Sequence, residues 1–291
     1  MFRISLLVLI FVPAASAVAQ NSYSFTGFTC PDAGADDTRA FGINDNNLIV
    51  GGCRSRGLHG FVRDGDTINT PVEPAGSNNS RIRGVNFAGL MVGFYSRPDF
   101  DFFHGFLRIN DSTYRDIVPP DATGDSLALG INSLNEIVGG YVGADGNEHG
   151  FINSGDVYIA PADCPGYPNT QINGINDNET LVGFCNDGVN FTGAIYDIPS
   201  MTLTLFQCLN LGAVDTIATA INNNGVVVGA YDTPNTTHGF VTFDMGQTCI
   251  QIDFPDAPNT QVMGISTSGT LVGFYFDDDV NYIRSFVATP N

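Results

Sequence analysis

Short apolar segments separated by polar turns recur at regular intervals along the chain. One phrase, Gly-Ile-Asn followed by a polar turn and then Leu/Ile-Val-Gly, occurs in six copies with minor variation. The copies begin at Gly42, Gly84, Gly130, Gly174, Ala220 and Gly264, with spacings of 42, 46, 44, 46 and 44 residues. This pattern predicts units of four short strands. Strand a leads into Gly-Ile-Asn, strand b contains Val-Gly, strand c contains His-Gly-Phe, and strand d usually ends in proline.

A period near 44 residues with four strands is typical of a β-propeller blade. Strand b supports this prediction because residues 48–50 and 226–228 are continuously apolar, and both faces of such a strand must be buried. The last unit ends without strand d, whereas residues 23–28 resemble a strand d in sequence. We therefore expect an all-β, six-bladed propeller in which the N-terminal strand completes the last blade and closes the ring, leaving no open edge.

The N-terminal residues have the layout of a secretory signal peptide. Arg3 precedes an apolar run over 4–12, and the small residues at 14–19 contain A-x-A cleavage sites. The apolar run is much shorter than the roughly 20 residues that a membrane span needs. We therefore expect a signal peptide over 1–19, a single propeller domain over 20–291, and a secreted protein, either extracellular or periplasmic.

The Gly-Ile-Asn, Val-Gly and His-Gly-Phe triplets resemble the probable extracellular repeat family called HAF, which is named for a His-Ala-Phe tripeptide. The resemblance extends over nearly the whole mature chain. Glycine replaces alanine in the middle of the tripeptide, and the fourth and sixth units carry Thr192-Gly193-Ala194 and Arg284-Ser285-Phe286 in its place. The resemblance implies a repeat architecture and export, and it implies no activity and no catalytic residue.

Composition and charge restrict the partners. The formal net charge is −19, from 30 acidic and 11 basic residues, and every basic residue is arginine. Such a chain does not hold a nucleic-acid backbone or an anionic membrane surface by bulk electrostatics. We expect a monomer whose partner is a glycan or an extracellular protein.

The six cysteines favour disulfides, because the count is even and the chain carries an export signal. Two of them precede proline at the end of a strand d, and two end a strand b, so repeat position suggests two pairs. The predicted pairs are Cys30–Cys53, Cys164–Cys185 and, by elimination, Cys208–Cys249. A zinc site is disfavoured because the chain has no C-x-x-C and its four histidines lie in different units.

Strand a is expected to line the central channel. Residues on either side of its buried apolar position point together into the channel. The candidate ligand-binding residues at these positions are Arg39, Arg81, Arg83, Gln171, Asn173 and Gln261. The three arginines suit a carboxylate or another planar anion. The alternative is internal pairing with the nearby Asp36 and Asp37.

Two further sets of residues invite a chemical interpretation. Asp277, Asp278 and Asp279 form the densest acidic cluster, which is a candidate calcium site or a solvated loop. We expect no other cofactor. All four histidines occupy one repeat position, which favours a structural hydrogen bond over catalysis, and the Asn of Gly-Ile-Asn is expected to form a turn.

The chain contains no G-x-S-x-G, H-E-x-x-H or P-loop pattern. We therefore expect a secreted binding protein rather than an enzyme. It would recognise a glycan or an extracellular surface ligand through its acidic loop face and the channel mouth. The alternatives are a glycan-active hydrolase or lyase that uses carboxylates and arginine at the channel mouth, and a purely structural surface protein.

Overall fold

The computed structural model describes residues 22–31, 37–54, 57–155, 157–159 and 163–291. The predicted signal peptide and Asp36 lie outside these residues. Apart from one turn of 3-10 helix at Leu209–Leu211, all regular secondary structure of the described part is β-strand. A search of the same residues finds no helix long and apolar enough to span a membrane.

The first twelve strands in chain order are β1 (Tyr23–Phe28), β2 (Asp37–Ile43), β3 (Ile49–Arg54), β4 (Leu58–Asp64), β5 (Thr67–Asn69), β6 (Asn79–Val85), β7 (Met91–Ser96), β8 (His104–Arg108), β9 (Tyr114–Ile117), β10 (Ser126–Ile131), β11 (Ile137–Val142) and β12 (Glu148–Ser154). They are followed by β13 (Val157–Ile159), β14 (Asn169–Ile175), β15 (Thr180–Asn186), β16 (Phe191–Asp197), β17 (Thr202–Phe206), β18 (Asp215–Ile221), β19 (Val227–Asp232), β20 (Thr237–Thr242), β21 (Ile250–Ile252), β22 (Thr260–Ile265), β23 (Leu271–Asp277) and β24 (Tyr282–Pro290).

The strands pair antiparallel in groups of four that follow the sequence units. Units 1 to 5 are β2–β5, β6–β9, β10–β13, β14–β17 and β18–β21. In unit 6, β22, β23 and β24 pair in order, and β1 is added to β24 with Tyr23 opposite Pro290. The innermost strands of successive units contact each other, and β22 also contacts β2.

The core lies between neighbouring sheets, as the apolar character of strand b predicts. Ile49 packs in one cluster with Phe61 and with Val272 of unit 6. The next residue, Val50, points to the opposite face and packs with Ile82 of unit 2. Consecutive residues of one strand therefore bury their side chains against two different neighbours, which is why strand b carries no polar alternation.

The glycine that follows the strand-b valine is required by packing within its own unit. A Cβ on Gly51 would overlap the carbonyl oxygen of Arg39 on the neighbouring strand. The close approach between units occurs at the glycine of Gly-Ile-Asn, where a Cβ on Gly42 would lie 2.7 Å from the carbonyl oxygen of Arg83 in unit 2.

The Asn of Gly-Ile-Asn forms the turn that the sequence predicts and also joins neighbouring units. Oδ1 of Asn44 accepts hydrogen bonds of 3.0 Å from the backbone N–H groups of Asn46 and Leu48. Its Nδ2 donates across the unit boundary to the carbonyl oxygen of Asn86, at 2.9 Å. The same bond recurs in the pairs Asn86–Asn132, Asn132–Asn176, Asn176–Asn222 and Asn222–Ser266.

Unit 6 lacks this asparagine and uses another contact. Ser266 stands at the equivalent position, and its hydroxyl accepts a hydrogen bond from the N–H of Thr270 within its own turn. The boundary to unit 1 is held instead by Asp45, whose carboxylate accepts hydrogen bonds from the backbone N–H and the hydroxyl of Thr267.

All three predicted disulfides are confirmed, and the described residues contain no free cysteine. Each bridge joins neighbouring units. The pair Cys30–Cys53 links the end of β1 to β3, Cys164–Cys185 links unit 3 to unit 4, and Cys208–Cys249 links unit 4 to unit 5. Three disulfides favour a location outside the reducing cytosol.

Candidate functional site

Each innermost strand contains a β-bulge at the same point. In unit 1, Ala40 lies opposite Gly51 and Gly42 opposite Val50, so that Phe41 is the extra residue. The equivalent residues are Arg83, Leu129, Asn173, Thr219 and Met263. They line a narrow channel of about 90 Å³ together with the residues that follow them. Bulges redirect side chains and are frequent beside functional sites. A prediction that assumes strict alternation of side chains along a strand misses them, because a bulge inserts an extra residue.

A cavity of about 200 Å³ opens at one end of this channel. Four of the six predicted ligand-binding residues line it, namely Arg83, Gln171, Asn173 and Gln261. Its other polar residues are Asp215, Thr219, Asp232 and Thr237, and its larger apolar residues are Phe184, Ile217 and Met263. We call this space the channel-mouth cavity.

Arg83 is the only cation that lines the channel-mouth cavity among the described residues. Its guanidinium carbon lies 4.2 Å from the centre of the Phe41 ring. No carboxylate of the described residues forms an ion pair with it. Burial, and then the charges of Arg81 and Arg39, lower the pKa of Arg83 from 12.5 to about 9. The cavity therefore holds a half-buried positive charge that has no counter-ion among the described residues.

Arg39 and Arg81 lie outside the cavity. Arg39 donates two hydrogen bonds to the carboxylate of Asp37, at 2.8 and 3.0 Å, which is the internal pairing that we weighed against ligand binding. Arg81 lies over the ring of Phe94 at 5.8 Å, and its buried Nε has no hydrogen-bond partner among the described residues. Burial and the charge of Arg39 lower the pKa of Arg81. The charges of both arginines lower the pKa of Arg83.

The amides of the cavity differ in how far the protein satisfies them. Asn173 donates from Nδ2 to the carbonyl oxygen of Ala218 at 2.8 Å, and its buried Oδ1 has no partner among the described residues. Gln171 donates from Nε2 to Oε1 of Glu148. Burial raises the pKa of Glu148. Asn173 therefore carries a buried, unsatisfied acceptor, whereas Gln171 is held in place by a neighbouring carboxyl group.

Asp215 and Asp232 are cavity residues that the sequence reasoning missed. They lie directly opposite each other on β18 and β19. They can be identified by comparing the cross-strand pair at the same position in different units. Other units have Asp37 opposite Arg54 or Asn169 opposite Asn186 at this position, and only here do two acids lie opposite each other among these pairs. Such a comparison needs the cross-strand pairing of β18 with β19.

The acidic loop of unit 6 is held by an arginine. Oδ2 of Asp277 lies 3.1 Å from Nε of Arg284, and Oδ1 of Asp277 accepts a hydrogen bond from the N–H of Asp279. The described part of the chain contains no cluster of three or more His, Cys, Asp or Glu side chains that could hold a metal ion. Calcium binding by Asp277, Asp278 and Asp279 stays a prediction.

The histidines of the repeat each face a carboxylate of their own unit. Nδ1 of His59 lies 3.0 Å from Glu73, and the pairs His149–Asp163 and His238–Asp253 are each 2.8 Å apart. His104 and Asp116 are 3.9 Å apart. Hydrogen bonds in three units and a longer contact in the fourth support the structural role that we expected for these histidines.

No protein-family profile and no curated protein sequence matches the chain. Solved structures do match it, and they are β-propeller proteins, so the chain has a propeller-like repeat fold. TolB from Acinetobacter baumannii matches over 89% of this chain and 65% of its own, with 9% identity and a TM-score of 0.52. An Aleuria aurantia lectin in complex with Fucalpha1-6GlcNAc matches over 88% of this chain and 97% of its own, with 12% identity and a TM-score of 0.51. The Trypanosoma rangeli sialidase in complex with the inhibitor DANA matches over 91% of this chain and 57% of its own, with 12% identity and a TM-score of 0.50.

Proposed function

We propose that the mature chain is an exported binding protein whose channel mouth recognises a carboxylate-bearing glycan. Residues 20–291 form a single domain, a closed six-bladed propeller, and residues 1–19 are its signal peptide. The contact of β22 with β2 and the pairing of β1 with β24 support the closed ring. The three disulfides support export, and the repeat triplets support membership of the HAF-type extracellular repeat family.

The observation that carries this proposal is the unpaired guanidinium of Arg83 in the channel-mouth cavity. A buried charge without a partner is unfavourable, and a ligand carboxylate removes that penalty through charge-assisted hydrogen bonds. Asn173 and Gln261 offer amide groups to sugar hydroxyls, while Phe184 and Ile217 form an apolar wall. A few convergent polar groups on an apolar wall are typical of small-ligand sites.

We propose a glycan as the ligand for two reasons. The cavity offers amides, a hydroxyl group and an apolar wall, which suit a sugar, and other propellers have glycan-related functions. Two of the matching propeller structures are a lectin bound to Fucalpha1-6GlcNAc and a sialidase. The net charge of −19 argues against nucleic acid and membrane partners. In this proposal the protein is a monomer whose partner is a glycan or an extracellular protein, and calcium at Asp277, Asp278 and Asp279 is the one cofactor that the sequence suggests.

Calorimetric titration with glucuronate and with glucose tests the proposal. Wild-type protein is expected to bind glucuronate and to bind glucose at least tenfold more weakly, because only glucuronate offers a partner to Arg83. Arg83→Met is expected to lose this preference. Arg54→Met is the matched control, since Arg54 lies outside the cavity and 55% of its side chain is exposed. Equal binding of both sugars by the wild type contradicts the proposal.

A glycan-active hydrolase or lyase is the second candidate. Asp215 and Asp232 line the same cavity as Arg83, and enzymes of these classes use paired carboxylates or a base beside an arginine. Incubation with oligosaccharides of uronic acids separates the two functions. Retention without product supports the binding protein, whereas new reducing ends or unsaturated sugars that disappear in Asp215→Asn assign an enzyme.

A further inference from the structure

Two carboxylates stand on directly opposite residues of neighbouring strands, and both line the channel-mouth cavity. Asp215 and Asp232 are cross-strand partners on β18 and β19, and both line the cavity. Like charges directly opposite each other destabilise a β-sheet. The equivalent rung of unit 4 pairs Asn169 with Asn186, so the fold itself does not need acids at this point.

Each of these carboxylates is held by one oxygen only. Oδ1 of Asp215 accepts a hydrogen bond of 2.6 Å from the N–H of Phe191. Oδ1 of Asp232 accepts one of 2.6 Å from the hydroxyl of Thr237. These bonds fix the two side chains in place, and no arginine of the described residues forms an ion pair with either. Two oriented acids with free oxygens are therefore available to a ligand cation.

The cavity thus has two charged ends. Arg83, on β6, supplies unpaired positive charge, and the acidic pair on β18 and β19 supplies unpaired negative charge. Neither end compensates the other, because the charges that act on Arg83 are those of Arg81 and Arg39. A neutral sugar offers no charged group to either end. A simple uronic acid offers a carboxylate to Arg83 and nothing to Asp215 and Asp232.

We infer that the channel-mouth cavity binds a zwitterionic saccharide, with a carboxylate at Arg83 and a protonated amine between Asp215 and Asp232. This inference rests on the proposed carboxylate site at Arg83 and adds the second charge. An amino sugar that carries an acidic substituent has both groups on one ring, and the cavity of about 200 Å³ is of the size of one such residue. The ammonium group removes the repulsion between the two aspartates as it binds.

The experiment compares muramic acid, N-acetylmuramic acid and glucosamine by calorimetric titration. Muramic acid carries a carboxylate and a free amine, the N-acetyl compound keeps only the carboxylate as a charge, and glucosamine keeps only the amine. Wild-type protein is expected to bind muramic acid about tenfold or more tightly than either of the others, since each lacks one charged hydrogen-bonded contact. Asp215→Asn and Asp232→Asn are expected to remove the preference of the wild type for muramic acid over N-acetylmuramic acid. Asp66→Asn, at an exposed turn of unit 1, controls for the change in net charge.

A measurement without ligand gives an independent check. Asp232→Asn keeps the acceptor for Thr237 and removes the like-charge rung, so its melting temperature is expected to rise above that of the wild type. Asp66→Asn is expected to melt with the wild type. A fall in the melting temperature of Asp232→Asn contradicts the unfavourable rung on which the inference depends.

The outcomes separate the inference from the proposed function. Equal binding of muramic acid and N-acetylmuramic acid by wild type and both Asp variants overturns the zwitterionic ligand and leaves the carboxylate site standing. Failure of muramic acid, N-acetylmuramic acid and glucuronate to bind overturns both. Binding of glucosamine as tight as that of muramic acid overturns the role of Arg83 and leaves the acidic pair alone as the site.

Discussion

Replacing Arg83 by methionine is expected to make the ligand-free protein more stable while it abolishes anion binding. Methionine keeps most of the apolar stem of the side chain and removes the charge, together with the contact of the guanidinium carbon over the Phe41 ring. In most proteins the loss of a partly buried polar side chain is destabilising. Here the charge has no partner among the described residues, so the opposite sign is expected.

The pKa of Arg83 gives the scale of the effect. Burial, with Arg81 and Arg39, lowers this pKa from 12.5 to about 9. At 1.36 kcal/mol per pKa unit, this sets an upper bound of about 5 kcal/mol. The channel is open at its mouth, and solvent screening together with the Phe41 contact reduces the net penalty to about 1.5 kcal/mol. Because the pKa is lowered, the penalty is fully present at neutral pH and disappears as the pH rises from 9 towards 12.5.

Differential scanning calorimetry of wild type, Arg83→Met and Arg54→Met provides the assay. Arg83→Met is expected to melt about 4 °C above wild type, from roughly 2–4 °C per kcal/mol for a chain of this size. Arg54→Met is expected to melt with the wild type, because its side chain is exposed. Added glucuronate is expected to raise the wild-type melting temperature and to leave that of Arg83→Met unchanged. A variant that melts below the wild type refutes the idea of an unpaired, unfavourable cation.

Three further changes test the packing, the unit boundaries and the histidine pairs. Ala194 stands where the other units carry Phe, beside a cavity of about 500 Å³, and Ala194→Phe is expected to raise the free energy of unfolding by about 1–2 kcal/mol in denaturant titrations. Ser266→Asn restores the missing amide donor to the carbonyl oxygen of Asn44 and is expected to add about 1 kcal/mol in the same assay; no gain shows that the contact of Asp45 with Thr267 already satisfies this boundary. The hydrogen bond with Asp163, and then that with Asp145, raises the pKa of His149 above 6.5, so its contribution to stability is complete below pH 6.5 and is lost as the pH rises through the folded-state pKa. His149→Gln is therefore expected to lose less stability than the wild type between about pH 5.5 and pH 8, and parallel pH profiles contradict this assignment.

The sequence predicts the units of this fold well because its repeats put equivalent residues into register. Cys30 and Cys164 hold the same repeat position, as do Cys53 and Cys185, so the disulfide pairs could be read from the chain. The apolar strand b likewise predicts burial on both faces, which Ile49 and Val50 confirm.

The candidate site was only partly predictable. The bulge at Arg83 depends on how two strands pair, and no local pattern signals it. The acidic pair of Asp215 and Asp232 lies on two consecutive strands, and it is recognised only when the pairing of these strands is known. Arg39 was predicted to bind a ligand and does not line the cavity. Its guanidinium group donates hydrogen bonds to the carboxylate of Asp37 instead.

The most direct test of the account is a crystal structure of residues 20–291 with glucuronate bound. We expect the sugar in the channel-mouth cavity, with its carboxylate oxygens about 2.7–2.9 Å from the guanidinium nitrogens of Arg83. A sugar bound on another surface of the propeller, with Arg83 paired to a carboxylate of the protein itself, would contradict it.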